Sequence, residues 1–326
     1  MARRRPDESD IRIRPPRSTR PRSKDRPTHK DSVGAIVVTV DRGRTLCRTH
    51  DGVLVNSMKA RELGKNSVVV GDQINLVGDT SGAEGSLARI VAVQPRRNSL
   101  SRTIDDAGAF EKTIAANIDQ MIIVAASANP EPRHGFIDRC LAVAYDQGIV
   151  PIIIMTKSDL KSPSEFLKGY EALEVQSFST QRGSDLSAIK KVLQNKSSVL
   201  IGHSGVGKST LVNALLGESQ RATGDVNDAT GRGRHTSSSA IAFELPSGGT
   251  IIDTPGVRSF GLEHIDKSRV VSSFEELGKA IARCPKNCSH DEEKCALNDY
   301  LIEHPERQLR VESLRRLLAS SAQPLI

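Results

Sequence analysis

A glycine-rich segment that ends in Lys-Ser-Thr carries the strongest chemical signal in the chain. Gly202–Thr210 matches the pattern G-x-x-x-x-G-K-[ST] and lies between a short apolar run and a helical pattern, as that motif requires. The glycines let backbone N–H groups point at phosphates, Lys208 would reach the β- and γ-phosphates, and Ser209 would bind Mg²⁺. Lys208 is therefore also a predicted catalytic residue. The predicted phosphate ligands are Gly202, His203, Ser204, Gly205, Val206, Gly207, Lys208, Ser209 and Thr210.

A second polar segment predicts that the base of the nucleotide is guanine. Thr156-Lys157-Ser158-Asp159 follows an apolar strand pattern and resembles the GTPase sequence N/T-K-x-D, with Thr156 in place of the commoner Asn. The Asp159 carboxylate would accept hydrogen bonds from N1–H and the exocyclic amine of guanine, a donor pair that adenine lacks. Lys157 would lie along the base. Ser177 is a further candidate for contact with the base.

Two more segments would complete a GTPase site. Asp253-Thr-Pro-Gly256 follows another apolar strand pattern and matches D-x-x-G. Asp253 would bind Mg²⁺ through water, and the Gly256 N–H would contact the γ-phosphate. The loop between the phosphate loop and D-x-x-G contains Thr236. Thr236 is the candidate switch residue that would bind Mg²⁺ and take part in catalysis when GTP is bound.

The residue after D-T-P-G predicts slow hydrolysis by the protein alone. It is Val257, whereas many GTPases have a Gln there that orients the attacking water. We therefore expect a partner to accelerate hydrolysis by ordering the switch segments. His235 is the candidate for positioning the water, and Arg232 or Arg234 for stabilising negative charge. That His235 is an ordinary loop residue stays open.

The order of these motifs along the chain is unusual. Most GTPases begin with the phosphate loop and have the base-binding motif late, whereas here T-K-x-D precedes the phosphate loop, the switch loop and D-T-P-G. A circular permutation can leave the folded site unchanged, because chain termini often lie close together and can be relocated. The sequence therefore predicts a circularly permuted GTPase whose last motif leads directly into the carboxyl-terminal region.

That region contains a cluster of potential metal ligands. Cys284, Cys288, His290 and Cys295 fall within twelve residues, and no secretory signal favours disulfides. Three cysteines and one histidine form a structural zinc set, and four protein ligands leave no open coordination position. The cluster predicts a structural zinc ion, and free thiols are the alternative. The other cysteines, Cys47 and Cys140, are expected to be ordinary core residues.

The elements ahead of the GTPase motifs predict a small β-barrel. Five short β-rich runs alternate with turn residues, which fits an OB-fold, with an SH3-like barrel as the competing interpretation. The runs are Ala35–Val40, Val53–Val55, Val68–Val70, Ile74–Val77 and Ala88–Val93. Residues 33–102 contain no Phe, Tyr or Trp, so RNA contact there would rely on basic side chains and backbone groups, not base stacking.

Beyond a polar linker at residues 95–102, the pattern becomes that of an α/β domain. Apolar runs typical of buried parallel strands alternate with helical periodicity, which predicts a sheet with helices on both faces. The predicted strands are Met121–Ala126, Val150–Met155, Val199–Ile201, Ala240–Phe243 and Thr250–Ile252. Further on, Val270, Phe274, Leu277 and Ile281 recur on one face of a predicted helix, and a charged helix with Leu314, Leu317 and Leu318 follows the cysteines.

The positive charge is concentrated at the amino end. The formal net charge is +7, and residues 1–30 alone carry nine Arg and two Lys against four acidic residues, which also gives +7. With five prolines and almost nothing apolar, this stretch predicts a disordered basic arm, either a tether to nucleic-acid phosphates or a solvated tail. We expect no membrane span and a cytoplasmic, monomeric protein.

The combination of motifs resembles the family of ribosome small-subunit-dependent, circularly permuted GTPases. The resemblance rests on the permuted order, the phosphate loop, Gly-Arg-His-Thr236, Asp-Thr-Pro-Gly-Val-Arg-Ser-Phe-Gly-Leu262 and the cysteine cluster, and it covers residues 33–320. It implies an OB-fold, a permuted GTPase and a helical zinc-binding domain. It also implies that Thr156, Lys157 and Asp159 bind the base, and that the small ribosomal subunit stimulates hydrolysis during its late assembly.

The sequence as a whole predicts a multidomain protein that hydrolyses GTP to GDP and acts as an assembly factor of the small ribosomal subunit, bound through rRNA and released on hydrolysis. A nucleotide-gated RNA-binding regulator with negligible turnover and a P-loop kinase are the alternatives. The predicted domains are residues 1–30 (basic arm), 32–102 (OB-fold), 103–262 (permuted GTPase) and 263–326 (helical zinc-binding domain).

Overall fold

The computed structural model describes residues 31–41, 43–64, 68–103, 111–217, 240–254 and 265–320. The strands are β1 (Val33–Asp41), β2 (Arg44–Thr49), β3 (Leu54–Lys59), β4 (Gln73–Gly78), β5 (Ala88–Val93), β6 (Ser99–Thr103), β7 (Glu111–Ala116), β8 (Gln120–Ala126), β9 (Val150–Thr156), β10 (Gln176–Ser179), β11 (Ser197–Ile201), β12 (Ile241–Glu244) and β13 (Thr250–Asp253). The α-helices are α1 (His134–Asp146), α2 (Ser164–Glu171), α3 (Ser187–Leu193), α4 (Lys208–Leu216), α5 (Lys267–Ser272), α6 (Gly278–Ile281), α7 (Ala296–Glu303) and α8 (Gln308–Ser320).

The first five strands form the barrel that the sequence predicts. Their order is β1-β2-β3-β5-β4, and β4 pairs back onto β1 to close the sheet. The β3–β5 pair is parallel and the other pairs are antiparallel, an arrangement typical of the OB-fold. Alternate residues of these strands fill the interior, namely Ala35, Val37, Cys47, Val55, Ile74, Leu76, Ala88 and Ile90.

One barrel strand differs from the expectation. Val68–Val70 contributes only an isolated bridge from Val70 to Ala115, and β2 takes its place in the barrel. Beyond Val70 the chain turns at once, because Gly71 has φ +85° and the Asp72 carboxylate accepts the Val69 N–H at 2.8 Å. The arginines at both ends of the β2 core (Arg44-Thr-Leu-Cys-Arg48) conceal its apolar pattern in the sequence.

The α/β sheet has the predicted parallel strands. Its order is β10-β9-β8-β11-β13-β12, in which only β12 runs antiparallel to its neighbour. Every residue of β8 is buried, as its continuous apolar run predicts for a central parallel strand. The chain runs outward from β8 to β10 and then returns to β11 on the other side of β8.

Helices cover both faces of this sheet. Helices α3 and α4 pack on one face, through apolar side chains such as Ile189 and Leu211. Helices α1 and α2 pack on the other, through side chains such as Ile137, Leu141 and Tyr170. The predicted α/β class is confirmed.

The carboxyl-terminal helices pack onto the α1 side. Val270, Phe274 and Leu314 belong to the same apolar cluster as Ile137 and Leu141 of α1. The single helix predicted from Val270 to Ile281 is broken into α5, a 3₁₀ turn at Glu275–Leu277, and α6. Hydroxyls of Ser272 and Ser273 donate to the Arg269 carbonyl, which offers the backbone an alternative to continued helix.

A β-hairpin that the sequence did not predict follows the barrel. Strands β6 and β7 form a separate two-stranded antiparallel sheet, and β6 begins within the polar linker expected at residues 95–102. Leu100 and Ala115 of this hairpin are fully buried. Within the part of the chain that the structure describes, no helix is long and apolar enough to cross a membrane.

Candidate nucleotide site and metal centre

The predicted nucleotide-binding segments leave the sheet at one edge. Strands β10, β9, β8, β11 and β13 are consecutive and parallel, so their carboxyl ends lie side by side. Thr156–Asp159 continues from β9, the phosphate loop continues from β11, and Asp253 ends β13. The strand order reverses between β8 and β11, which is where open α/β sheets form ligand crevices.

Close packing fixes the conformation of the phosphate loop. A Cβ at Gly202 would lie 2.4 Å from the Val124 carbonyl oxygen, so no larger residue fits there. Gly207 has φ +95°, a conformation that suits glycine, and immediately precedes α4. The first-turn N–H groups of α4 have no intrahelical acceptor, so that end of the helix favours an anion.

Lys208 lies within the loop that it is predicted to serve. Its ammonium donates hydrogen bonds to the carbonyl oxygens of Gly202 and of His203, the latter at 3.1 Å. Burial lowers the pKa of Lys208, and the Asp253 carboxylate opposes that shift. A phosphate oxygen is a stronger partner for an ammonium than a neutral carbonyl, so Lys208 is placed to bind phosphate.

The threonine of T-K-x-D joins the base-binding segment to the phosphate loop. The Thr156 hydroxyl lies within hydrogen-bonding distance of the Val206 carbonyl oxygen and at 3.2 Å from that of Ala125. A hydroxyl has one proton, so it donates to one of these carbonyls at a time. The Lys157 ammonium donates to the Asn129 carbonyl on the loop after β8. The contact between Thr156 and Val206 therefore fixes the T-K-x-D segment relative to the phosphate loop.

A single cavity of about 800 Å³ contacts both segments. Its lining includes Thr156, Lys157 and Asp159 of the T-K-x-D segment together with Gly207 and Thr210 of the phosphate loop. Most of the remaining lining residues come from the loop after β10 and from α3 and α4, and include Thr180, Gln181, Arg182, Ser184, Asp185, Lys190, Leu211 and Asn213. The structure thus places the predicted base ligand and the phosphate loop around one space.

Ser177 is placed differently from the other predicted base contacts. It lies within β10, opposite Ile153 of β9, and is not among the residues that line the cavity. The loop that follows the strand lines the cavity instead, and a 2.6 Å hydrogen bond between the Thr180 and Ser184 hydroxyls closes it. The sequence analysis missed this loop, although the turn residues Gly183 and Ser184 were a signal that could have predicted it.

Asp253 and Thr254 lie at the end of β13, beside the strand that leads into the phosphate loop. Asp253 pairs in register with Leu200 of β11. The buried hydroxyl of Thr254 donates to the Leu200 carbonyl at 2.9 Å, a hydrogen bond that the sequence did not predict. Ser209 is the second residue of α4. The predicted residues Arg232, Arg234, His235, Thr236, Gly256 and Val257 lie outside the described residues.

The predicted metal ligands converge. One ligand atom from each of Cys284, Cys288, His290 and Cys295 lies within 4.8 Å of the others. Cys284 Sγ lies 3.7 Å from Cys295 Sγ and 3.6 Å from His290 Nδ1. Tetrahedral zinc with Zn–S of ~2.3 Å and Zn–N of ~2.0 Å would separate its ligand atoms by roughly 3.5 to 3.8 Å, so the cluster fits a zinc site.

Two of the candidate ligands have shifted pKa values. Burial raises the pKa of the Cys284 thiol to about 11, and the nearby Cys295 and Cys288 thiols add to the shift. A cation bound among them would favour the thiolates instead. Burial and then the Arg315 charge lower the pKa of His290, which favours the neutral imidazole that a metal requires. Cys47 and Cys140 are fully buried core residues, as expected.

Comparison with known proteins decides the family. The RsgA GTPase family model matches residues 93–263. The chain is 40% identical over 284 residues to the small ribosomal subunit biogenesis GTPase RsgA of Shewanella oneidensis, an alignment that spans 83% of this chain and 79% of that protein. This chain belongs to the RsgA GTPase family. It is therefore a GTPase, with GTP or GDP and Mg²⁺ as the cofactors of that activity.

Solved structures confirm the fold of this member of the RsgA GTPase family. YjeQ from Thermotoga maritima matches with a TM-score of 0.64 and 23% identity, over 89% of this chain and 98% of that one. YloQ, described as a circularly permuted GTPase, matches with a TM-score of 0.64 and 20% identity, over 93% of this chain and all of that one. The predicted barrel and permuted GTPase are confirmed, and the Cys₃His cluster fits the predicted zinc site.

Proposed function

We propose that this protein hydrolyses GTP as an assembly factor of the small ribosomal subunit, the process for which its relatives are named. The observation that supports the nucleotide chemistry is the shared cavity, because Asp159 and the phosphate loop border the same space. Its volume of about 800 Å³ falls in the usual range for ligand pockets.

The proposed roles follow from the contacts. Asp159 accepts from the guanine edge, Lys157 lies along the base, and Thr156 fixes the distance between the base and phosphate subsites. Gly202–Thr210 binds the phosphates through backbone N–H groups and the Lys208 ammonium. The Thr180–Ser184 loop, not Ser177, is proposed to supply the remaining contacts to the base.

Hydrolysis needs charge stabilisation and a positioned water. When bound, Mg²⁺ neutralises charge on the β- and γ-phosphates, and Ser209 and Thr236 are its proposed protein ligands, with Asp253 acting through water. Lys208 stabilises charge on the transferred phosphoryl group. His235 is proposed to position the water, and Gly256 to contact the γ-phosphate. Because Val257 cannot orient a water, we propose that the small subunit stimulates hydrolysis.

The remaining proposals concern partners. We propose that the protein contacts rRNA, that the 1–30 arm contributes phosphate contacts, and that it acts as a cytoplasmic monomer outside membranes. It binds the small subunit in the GTP state and leaves after hydrolysis. The domain limits 32–102, 103–262 and 263–326 stay predictions, with the Cys₃His cluster proposed to bind a structural zinc ion.

Measuring GTP hydrolysis with small subunits, large subunits and neither tests the proposal. We expect turnover to be faster with small subunits than with large subunits or without subunits. Equal rates under all three conditions would contradict stimulation by the small subunit. Sedimentation with small subunits should show more bound protein with a non-hydrolysable GTP analogue than with GDP.

The base assignment has an independent test. We expect Asp159→Ala to remove the preference for GTP over ATP in a competition-binding assay, because the variant lacks the acceptor for the guanine donors. If the preference persists, the assignment of Asp159 is wrong.

A further inference from the structure

Arg315 of α8 contacts the metal cluster from outside the twelve-residue segment that supplies the ligands. Its Nε donates to the His290 carbonyl oxygen at 2.7 Å, and its Nη2 donates to Asn298 Oδ1 at 2.7 Å. The Asn298 amide donates in turn to the carbonyls of Glu292 and Glu293, at 3.0 Å each. Arg315 and Asn298 thus bind the loop between His290 and Cys295 at three carbonyl groups.

These contacts fix the backbone of the only imidazole ligand in the cluster. His290 has φ +68°, a conformation that is uncommon for residues other than glycine. Its N–H donates to Cys288 Sγ at 3.3 Å, while its carbonyl accepts from Arg315. With both backbone groups bound, the ring is placed with Nδ1 at 3.6 Å from Cys284 Sγ.

Arg315 also has the charge that the site requires. Three thiolates, a neutral imidazole and Zn²⁺ leave one net negative charge, which is costly to bury without a counter-charge. The Arg315 side chain is only 20% exposed, and its acidic neighbour Asp291, at 3.8 Å, is 81% exposed. Solvent screens Asp291, so Arg315 is available to offset the charge of a zinc–thiolate centre.

We propose that Arg315 is a positioning residue of the metal site, which orients His290 through its carbonyl and balances the charge of the metal-bound cluster. This inference rests on the proposed binding of zinc to Cys284, Cys288, His290 and Cys295. Groups outside the coordination sphere that orient a ligand change metal affinity by about 10- to 100-fold.

The adjacent residue offers a matched control. Arg316 lies on the same helix, but it pairs with the buried Asp138 of α1 at 3.0 Å and donates to the Gly169 carbonyl at 2.9 Å. Arg316→Met therefore removes the same charge one position away and leaves the metal loop untouched. It should lower the thermal unfolding temperature, because Asp138 loses its partner.

The experiment measures zinc content and the rate of zinc transfer from the full-length protein to a chromophoric chelator at 25 °C. We expect one zinc per wild-type chain, and Arg315→Met to accelerate transfer by about 10- to 100-fold. Arg315→Lys, which keeps the charge but not both hydrogen bonds, should fall between the two, and Asn298→Ala should show a smaller acceleration. Arg316→Met should transfer zinc at the wild-type rate despite its lower unfolding temperature.

The possible failures differ from one another. If the wild-type protein neither contains nor takes up zinc, the metal-site proposal and the role of Arg315 both fall. If it contains zinc but transfer rates simply follow unfolding temperature, so that Arg316→Met is as fast as Arg315→Met or faster, the role of Arg315 alone is overturned. Should Arg315→Met fold poorly, Arg315→Lys and Asn298→Ala decide the matter, since transfer at the wild-type rate by both would overturn it.

Discussion

The proposed nucleotide site and the proposed metal centre of this protein are built in opposite ways. The four metal ligands lie within twelve residues, and short turns bring them within 4.8 Å of one another. The proposed nucleotide site instead combines Asp159, Lys208 and Asp253, whose segments lie at one edge of the sheet because β9, β11 and β13 end there. One site is local in the chain and the other depends on the whole α/β domain.

This difference explains how a permuted chain keeps its nucleotide site. The site requires that particular strands be neighbours in the sheet, and it does not require a particular order along the chain. Strand β11, which leads into the phosphate loop, lies between β8 and β13 in the sheet. Strand β9, which leads into the proposed base-binding segment, comes earlier in the sequence. A similar rearrangement within the metal loop would disrupt the proposed metal centre, because its geometry depends on the number of residues between successive ligands.

The largest effect should come from the phosphate loop. We expect Lys208→Ala to lower kcat/KM for GTP by about 1000-fold, in line with the loss of a charge that stabilises the transition state. Subunit-stimulated turnover measures this loss. Lys168→Ala, which removes an exposed lysine paired with Glu165 on α2, is the control and should match the wild-type protein. A Lys208→Ala variant within a few-fold of wild type would contradict the assignment.

Removing a metal ligand should separate the two regions. We expect Cys284→Ser to weaken zinc binding by on the order of 100-fold or more, because a direct ligand matters more than the groups that orient it. Zinc content after dialysis measures the loss. Since the nucleotide site shares no ligand with this cluster, GTP affinity should stay within about two-fold of the wild-type value. A two-fold change is far smaller than the ten-fold change that about 1.4 kcal/mol would cause.

A core cysteine provides the control for that variant. Cys140→Ala should lower stability through the cavity that it creates in the apolar cluster, and should leave the zinc content unchanged. If Cys284→Ser instead abolishes GTP binding while Cys140→Ala does not, the two sites are coupled, and the local independence of the metal centre is wrong.

The base subsite should respond by a change of preference. Asp159→Asn replaces an acceptor by a donor, so we expect GTP affinity to fall roughly 30-fold, equivalent to about 2 kcal/mol, and xanthosine triphosphate to bind better than GTP. Competition binding with both nucleotides measures this switch. Asp185→Asn, at another acidic residue that lines the same cavity, should leave the preference unaltered.

The smallest effect should come from the hydrogen bond that joins Thr156 to the phosphate loop. Thr156→Val keeps the shape of the side chain but removes its hydroxyl, so we expect about five-fold weaker binding of both GTP and GDP, or about 1 kcal/mol. Thr156→Ser should restore most of the affinity. Unchanged affinity for both nucleotides in Thr156→Val would show that the hydrogen bonds of Thr156 do not position the phosphate loop.

Prediction from sequence succeeded where the signal was local. The spacing of Cys284, Cys288, His290 and Cys295 was sufficient to propose the cluster that the structure shows. Continuous apolar runs gave β8 and β9, whose burial on both faces leaves no alternation to misinterpret. Prediction failed at β2, where arginines flank the apolar residues, and at Val68–Val70, where Gly71 turns the chain.

The sequence by itself determined which chemistry we propose for this protein, because phosphate, guanine and zinc each demand particular residue types at short spacings. Only the tertiary structure decided which of those residues share a site. It brought Asp159 and Thr210 to one cavity, left Ser177 along a strand, and placed Arg315 beside His290. Contacts between residues distant in the chain depend on strand order and helix packing, which no local pattern specifies.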